Sequence, residues 1–205
     1  MIIKNAKVYN EGCTFENKDI FIDRELIVEK AASDSQVIDA SGLYAIPGLT
    51  DIHFHGCDNY DFCDGTQEAV KAMAKYEAKN GITTICPATM TLSEEELVKI
   101  FKNANDYPNR LDRMSDATEE NEKEAILCGI NMEGPFISAK KKGAQNAEYI
   151  HKPDEDMLSK LDQLSGNLIK LVDIAPEEEG ALELIADLKG KKVISIAHTN
   201  ADYDT

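Results

Sequence analysis

From Gly48 onward the sequence alternates between short β-prone runs and amphipathic helical stretches, and no other feature limits the fold so strongly. Strands separated by helices lie side by side as parallel strands joined by right-handed crossovers. Strands are predicted over 49–55, 82–89, 126–133, 168–175 and 193–198, forming one parallel sheet in sequence order. Helices are predicted over 65–80, from Ser93 through Phe101, over 154–164 and over 177–189. Each has a local cause. Ala69, Val70, Met73, Ala74 and Tyr76 form an apolar stripe that Gly81 stops. Ser93 and Glu96 make a capping box. Glu177, Glu178 and Glu179 would load a first helical turn with the charge its dipole favours. The polar stretch 106–121 reads as loop and further helix around the Pro108-Asn109 break, and Ala201 opens another helical stretch.

A complete (β/α)8 TIM-like barrel takes about 250 residues. Residues 48–205 therefore read as its first five strand–helix units, an incomplete barrel in this chain. A complete five-stranded doubly wound sheet is the other arrangement, but no Gly-rich phosphate fingerprint follows the first strand. Residues 1–47 differ. They hold three β-prone runs, at 1–9, 19–28 and 37–42, and no helical period. A β module this small buries too little to stand alone.

With 22 basic against 38 acidic residues, the net charge is −16. That disfavours nucleic acid and anionic membrane as partners. The five cysteines show no C-x2-C spacing, so neither a disulfide framework nor a Cys-type zinc knuckle is predicted. The N-terminus has Lys4 and Lys7 in its first ten residues and lacks the apolar core of a signal peptide. No run reaches the roughly 18 apolar residues of a membrane span. A reducing, cytoplasmic setting is the expectation.

Chemistry-bearing residues fall at the carboxyl ends of separate predicted strands. The first carries Pro47-Gly48, then Asp51, His53, His55 and Gly56. Alternation along a strand puts His53 and His55 on one side and Phe54 on the other. Two imidazoles on one face make half a metal site for zinc, iron or nickel. Glu133 ends the third strand, before Gly134-Pro135, and His198 ends the fifth. In a barrel these ends share one face, so His53, His55, Glu133 and His198 should converge on one or two divalent ions, zinc or iron(II). His151 lies in a polar loop and is read as surface. Lys170 comes early in the fourth strand, badly placed to bridge two metals as a carboxylated lysine. Lys140, Lys141 and Lys142 read as a solvated loop.

The segments PGLTDIHFHG, NMEGPFIS with KKGA after it, and AHTNADY together resemble the amidohydrolase superfamily, and within it the N-acetylglucosamine-6-phosphate deacetylase family. The resemblance runs along the whole chain in the family's order. It implies a small β-sandwich built from both chain ends around a distorted (β/α)8 barrel, of which residues 1–47 are the N-terminal part. It implies Glu133 and His198 as metal ligands, with His53 and His55 able to hold a second ion. Ala144 and Gln145 match a substrate-contacting pair, Gln145 standing where His is frequent. A further metal-binding His and the acid/base Asp are expected beyond Thr205, so no catalytic residue is assigned within this chain. The implied chemistry is metal-assisted attack of water on the acetamide of a small phosphorylated amino sugar, giving glucosamine-6-phosphate and acetate. The parent enzyme is expected to be a homo-oligomer. Two other readings compete: a cyclic-amide or dihydroorotase-like amidohydrolase, and a non-catalytic metal-binding fragment. The 205-residue chain by itself is expected to lack activity and to pair through the exposed edge of its fifth strand.

Overall fold

The computed structural model describes residues 1–24, 26–30, 32, 34–112 and 123–204. The chain divides into two compact units, Met1–Gly48 and Leu49–Thr205. The loop and helix expected within 113–121 lie outside the described residues.

The first unit is a sheet. Its strands are β1 (Ile2–Tyr9), β2 (Phe15–Asp23), β3 (Leu26–Val28), β4 (Val37–Asp39) and β5 (Tyr44–Ala45). β1 and β2 form an antiparallel hairpin, β3 folds back onto β2, and β4 and β5 run parallel to β1. The run expected as one strand over 19–28 is thus two strands. Arg24, in the left-handed region at φ 54, lies where the chain reverses. Among the described residues this unit is a five-stranded sheet.

In the second unit the strand–helix alternation is present. Its elements are β6 (Leu49–Asp51), a small hairpin β7 (Gly56–Cys57) and β8 (Tyr60–Asp61), α1 (Gln67–Lys79), β9 (Ile82–Ile85), α2 (Glu94–Asp106), β10 (Ile126–Leu127), β11 (Ile130–Glu133), α3 (Glu155–Leu164), β12 (Ile169–Ile174), α4 (Ala181–Leu188) and β13 (Val193–Ile196). Pairing is parallel throughout except in the β7–β8 hairpin. The expected single sheet is instead two three-stranded sheets, ordered β10-β9-β6 and β11-β12-β13, and no closed barrel forms among the described residues. The division falls inside the predicted third strand. Its first half, β10, pairs with β9, and its second half, β11, pairs with β12. Gly129 sits between them with no room for a side chain. A Cβ there would lie 2.4 Å from Lys170 Cγ and 3.2 Å from Cys86 Sγ. A lone parallel bridge, Ala88 to Asn131, joins the two sheets.

Three helices begin at capped residues within two positions of their predicted starts. Thr66 accepts from the Ala69 amide, Ser93 and Glu96 close a reciprocal capping box, and Asp154 accepts from the Met157 amide. The fourth starts later than expected. Glu177, Glu178 and Glu179 form a turn, Gly180 precedes the helix, and only Glu183 lies in its first turn. Glu177 has another use, accepting from Thr199 Oγ1 and the Asn200 amide at 2.5 Å each. Those bonds tie down Thr199 and Asn200, and 199–202 are irregular with a turn at 203–204 rather than the helix expected from Ala201. The core packs Val70 and Met73 of α1 with Ile85, with Leu97 and Phe101 of α2, with Met132 and with Val172. Full burial of such a side chain contributes about 1.5–3 kcal/mol. No helix among the described residues is long and apolar enough to cross a membrane.

Gly129→Ala is expected to destabilise the chain by about 1–3 kcal/mol, because the added methyl overpacks against the stem of Lys170 rather than its mobile tip. Urea-unfolding midpoints of the two proteins check this. An unchanged midpoint would mean that the break in the third strand does not depend on glycine.

Candidate metal centre

The predicted strand over 49–55 ends at Asp51, and both histidines lie beyond it. The Asp51 side chain terminates the strand by accepting from the His53 amide at 3.0 Å, an Asx-type turn. The next residues are pinned from both sides. Ala88 N–H donates to the Phe54 carbonyl and Phe62 N–H to the His55 carbonyl, each at 2.8 Å. Phe54 packs against the core while the two imidazoles face the cleft. The side-chain division expected of a strand is therefore reached through a pinned loop.

Glu133 is the last residue of β11 and only 3% exposed. Its carboxylate is the point of convergence. Oε2 lies 3.0 Å from His53 Nε2 and 3.3 Å from His55 Nε2. Oε1 lies 2.8 Å from His198 Nε2. Ligand atoms of His53, His55 and Glu133 fall within 4.8 Å of one another. His198 follows β13 in the left-handed region, at φ 46, where non-glycine residues are uncommon. The backbone therefore turns sharply there. Gly134, next to Glu133, cannot be replaced freely either. Its φ is +73, and a Cβ would meet Thr91 Oγ1 at 2.0 Å.

Neighbours orient His198, His53 and Glu133, whereas His55 Nδ1 is buried without a hydrogen-bond partner. His198 Nδ1 lies 3.0 Å from the Lys141 carbonyl and Nε2 lies 2.8 Å from Glu133 Oε1, so each ring nitrogen faces an acceptor and the ring is held between them. The Ser138 amide donates to the His198 carbonyl at 3.0 Å, tying the loop after β11 to the loop after β13. Asn131 Nδ2 lies 2.9 Å from His53 Nδ1, while its Oδ1 is buried without a hydrogen-bond partner. Turning that amide over lets Oδ1 accept from Nδ1–H and frees Nε2 to bind an ion. Gln145, 2% exposed, accepts from the Thr91 amide at 2.6 Å and donates to Glu133 Oε1 at 2.5 Å.

Burial opposes ionisation of Glu133, but hydrogen bonds from His55 and His198 and the charges of His55 and His53 outweigh it. They hold the carboxyl at about 2. The same hydrogen bond to Glu133 raises His55 above its ordinary value, against the opposite pull of desolvation.

These residues line a cleft of about 350 Å³, together with Met90, Ala144, Asp173 and Ala197. All the residues singled out in sequence as ligands or substrate contacts are thus brought together. His151 is exposed and does not line the cleft. Lys170 is exposed near the start of β12, where its ammonium donates to the Asn167 carbonyl at 2.9 Å. Asp173 was not foreseen. It is 1% exposed, lies in register with Glu133 and Ser195, and burial raises its carboxyl pKa. An acid inside the apolar run around 169–174 is the signal that could have found it.

No protein-family model matches the chain. It is similar to an N-acetylglucosamine-6-phosphate deacetylase of Lysinibacillus sphaericus, 30% identical over 209 residues, covering 100% of this chain and 51% of the relative. The Bacillus subtilis enzyme of the same name is 35% identical over 158 residues, covering 77% of this chain and 38% of the relative. A solved Mycobacterium smegmatis deacetylase variant, in complex with N-acetyl-D-glucosamine-6-phosphate, superposes with a TM-score of 0.77 at 23% identity. It covers 100% of this chain and 51% of its own. The chain therefore spans about half the length of the relatives it matches end to end.

The metal-free chain should be most stable between the two titrations just described. Glu133 is depressed from 4.5, so its contribution is present above about 4.5 and is lost as pH falls through about 2. His55 is raised from 6.5, so its contribution is present below 6.5 and is lost as pH rises through the raised value. Unfolding midpoints measured against pH in chelator check this. Glu133→Gln should flatten the acid limb and His55→Asn the alkaline one.

Proposed function

We propose that this chain, homologous along its whole length to N-acetylglucosamine-6-phosphate deacetylases about twice as long, forms the metal-binding part of such an enzyme. One observation carries the reading: three imidazole nitrogens from two separate loops meet on the two oxygens of one buried carboxylate. Three nitrogens and a carboxylate suit zinc or iron(II). With donors on both oxygens of Glu133, one ion or two can be held by His53, His55, Glu133 and His198.

A bound ion supplies Lewis acidity, polarising an acetamide carbonyl and lowering the pKa of water toward 7. The chain's own residues do the rest. Glu133 and the histidines hold the ion, Asn131 and the Lys141 carbonyl set ring orientation, and Gln145 steadies Glu133. Gln145 and Ala144 also line the cleft where the sugar would lie. The Gln145 amide has a second, weak bond to Met90 Sδ at 3.6 Å, which a substrate hydroxyl can replace. Proton transfer is assigned to no residue of this cleft. The substrate class follows from the mycobacterial neighbour's bound N-acetyl-D-glucosamine-6-phosphate. Products are then glucosamine-6-phosphate and acetate, in a cytoplasmic, homo-oligomeric enzyme of amino-sugar breakdown. A dihydroorotase-like reading is disfavoured, since Lys170 is bonded at the far end of β12 from the cleft.

Isothermal titration checks both halves of the proposal. Zinc should bind the chain, Gln145→Ala should weaken it by about 10–100-fold through loss of ligand support, and Glu133→Gln should weaken it more. N-acetylglucosamine-6-phosphate, and not dihydroorotate, should then bind the zinc-loaded chain, with acetate release followed in the same samples. Zinc uptake with no sugar-phosphate binding would leave only a metal-binding role.

A further inference from the structure

Glu177 does not line the cleft, yet it bonds to loops on both sides of it. It follows β12, the middle strand of the sheet β11-β12-β13. The outer two strands carry Glu133 at the end of β11 and His198 just after β13. On the β13 side Glu177 accepts from Thr199 Oγ1 and from the Asn200 amide, at 2.5 Å each. On the β11 side it takes a hydrogen bond from the side chain of Ser138, which is 2% exposed. Burial opposes ionisation of Glu177, but these hydrogen bonds outweigh it and lower the carboxyl pKa. The Ser138 amide in turn donates to the His198 carbonyl at 3.0 Å. Glu177, Ser138, His198 and Thr199 therefore form a closed circuit across three loops.

His198 stands inside that circuit with φ 46. A side-chain-bearing residue stays in the left-handed region only where its surroundings over-determine it. Before His198, the Ala197 amide donates to the Ile174 carbonyl at 3.2 Å. After it, Glu177 ties down Thr199 and Asn200. The backbone conformation sets where the side chain points, and Nε2 now lies 2.8 Å from Glu133 Oε1. The Lys141 carbonyl, 3.0 Å from Nδ1, fixes the rotation of the ring but not the backbone that carries it. We infer that Glu177 is a positioning residue of the metal centre, holding His198 left-handed through Thr199 and Asn200 and so keeping Nε2 on Glu133, where an ion would be held. This rests on the metal reading above. A carboxylate suits the task because it only accepts, and its two oxygens face two hydroxyls and an amide.

Zinc titration into the full chain, with visible spectra of cobalt(II)-loaded samples, tests this role. Glu177→Ala removes every bond of the carboxylate and should lower zinc affinity about 10–100-fold, as loss of a ligand's support does. Its cobalt spectrum should shift toward that of His198→Ala. Glu177→Gln keeps the shape and one acceptor oxygen, and should recover part of both. The second arm places Glu177→Ala in a His198→Ala chain, which retains His53, His55 and Glu133. A residue that acts through His198 has nothing left to act on, so no further loss of zinc affinity is expected there. Should Glu177→Ala not fold, Thr199→Val removes one donor, leaves Glu177 in place and gives the same readings. Zinc affinity and a cobalt spectrum equal to those of the unmutated chain overturn the proposal. So does an equal loss with and without His198, which would make Glu177 a general support of the fold. An unmutated chain that takes up no zinc overturns the metal reading itself.

Discussion

The Glu133 carboxylate is the group on which the second unit's functional face depends. A buried carboxylate costs several kcal/mol unless it is paired and hydrogen-bonded. Here the compensation comes from four side chains spread across 145 residues of sequence, from His53 to His198. Each reaches Glu133 only because the backbone around it is constrained. Gly134 lets the chain leave β11 against Thr91, and the Asp51 turn stops β6 early. Glu177 ties down the residues after His198. These constraints are local, but their common result is one set of donors aimed at one acid.

The break at Gly129 serves the same end. An unbroken strand would pair with both neighbours in one register. Division lets β10 follow β9 while β11 follows β12, with a single bridge from Ala88 to Asn131 between the two sheets. Asn131 therefore sits where the sheets meet, beside His53, and Glu133 sits two residues further on. The loop after β11 then reaches the cleft, giving its Lys141 carbonyl to His198 and its Gln145 side chain to Glu133.

Much of this was legible in the sequence. Alternating β-branched runs and capped amphipathic stretches carry strand and helix identity locally, so the order, the parallel pairing and three helix starts could be read from it. The convergence of His53, His55, Glu133 and His198 was legible because they fall at or just beyond strand ends, which parallel topology brings to one face. What could not be read depends on distant partners. The end of β6 at Asp51 and the break in the third strand are set by neighbouring strands, not by propensity. Glu177 looked like a helix-starting acid, because nothing local reveals that Thr199 and Asn200 need an acceptor. Gln145 was matched to a sugar contact, and its bond to Glu133 needs the folded loop. Asp173 was passed over because an apolar strand absorbs one acid without comment until its register with Glu133 is known.

On the proposed metal reading, protons and a divalent ion would compete for the same nitrogen lone pairs. Without an ion, Glu133 is held ionised by hydrogen on the imidazoles around it, and the hydrogen bond of His55 to Glu133 raises that residue's proton affinity. An ion takes the same nitrogen lone pairs, so each imidazole that binds it must first give up that hydrogen. The Nε2 atoms lie 2.8–3.3 Å from Glu133, so an ion there would replace these contacts. Orientation from behind is what lets one geometry serve both forms. The Lys141 carbonyl fixes the His198 ring through Nδ1, and Asn131 can present either end of its amide to His53. Side chains already held in place by folding would leave less ordering cost to oppose an ion on the proposed reading.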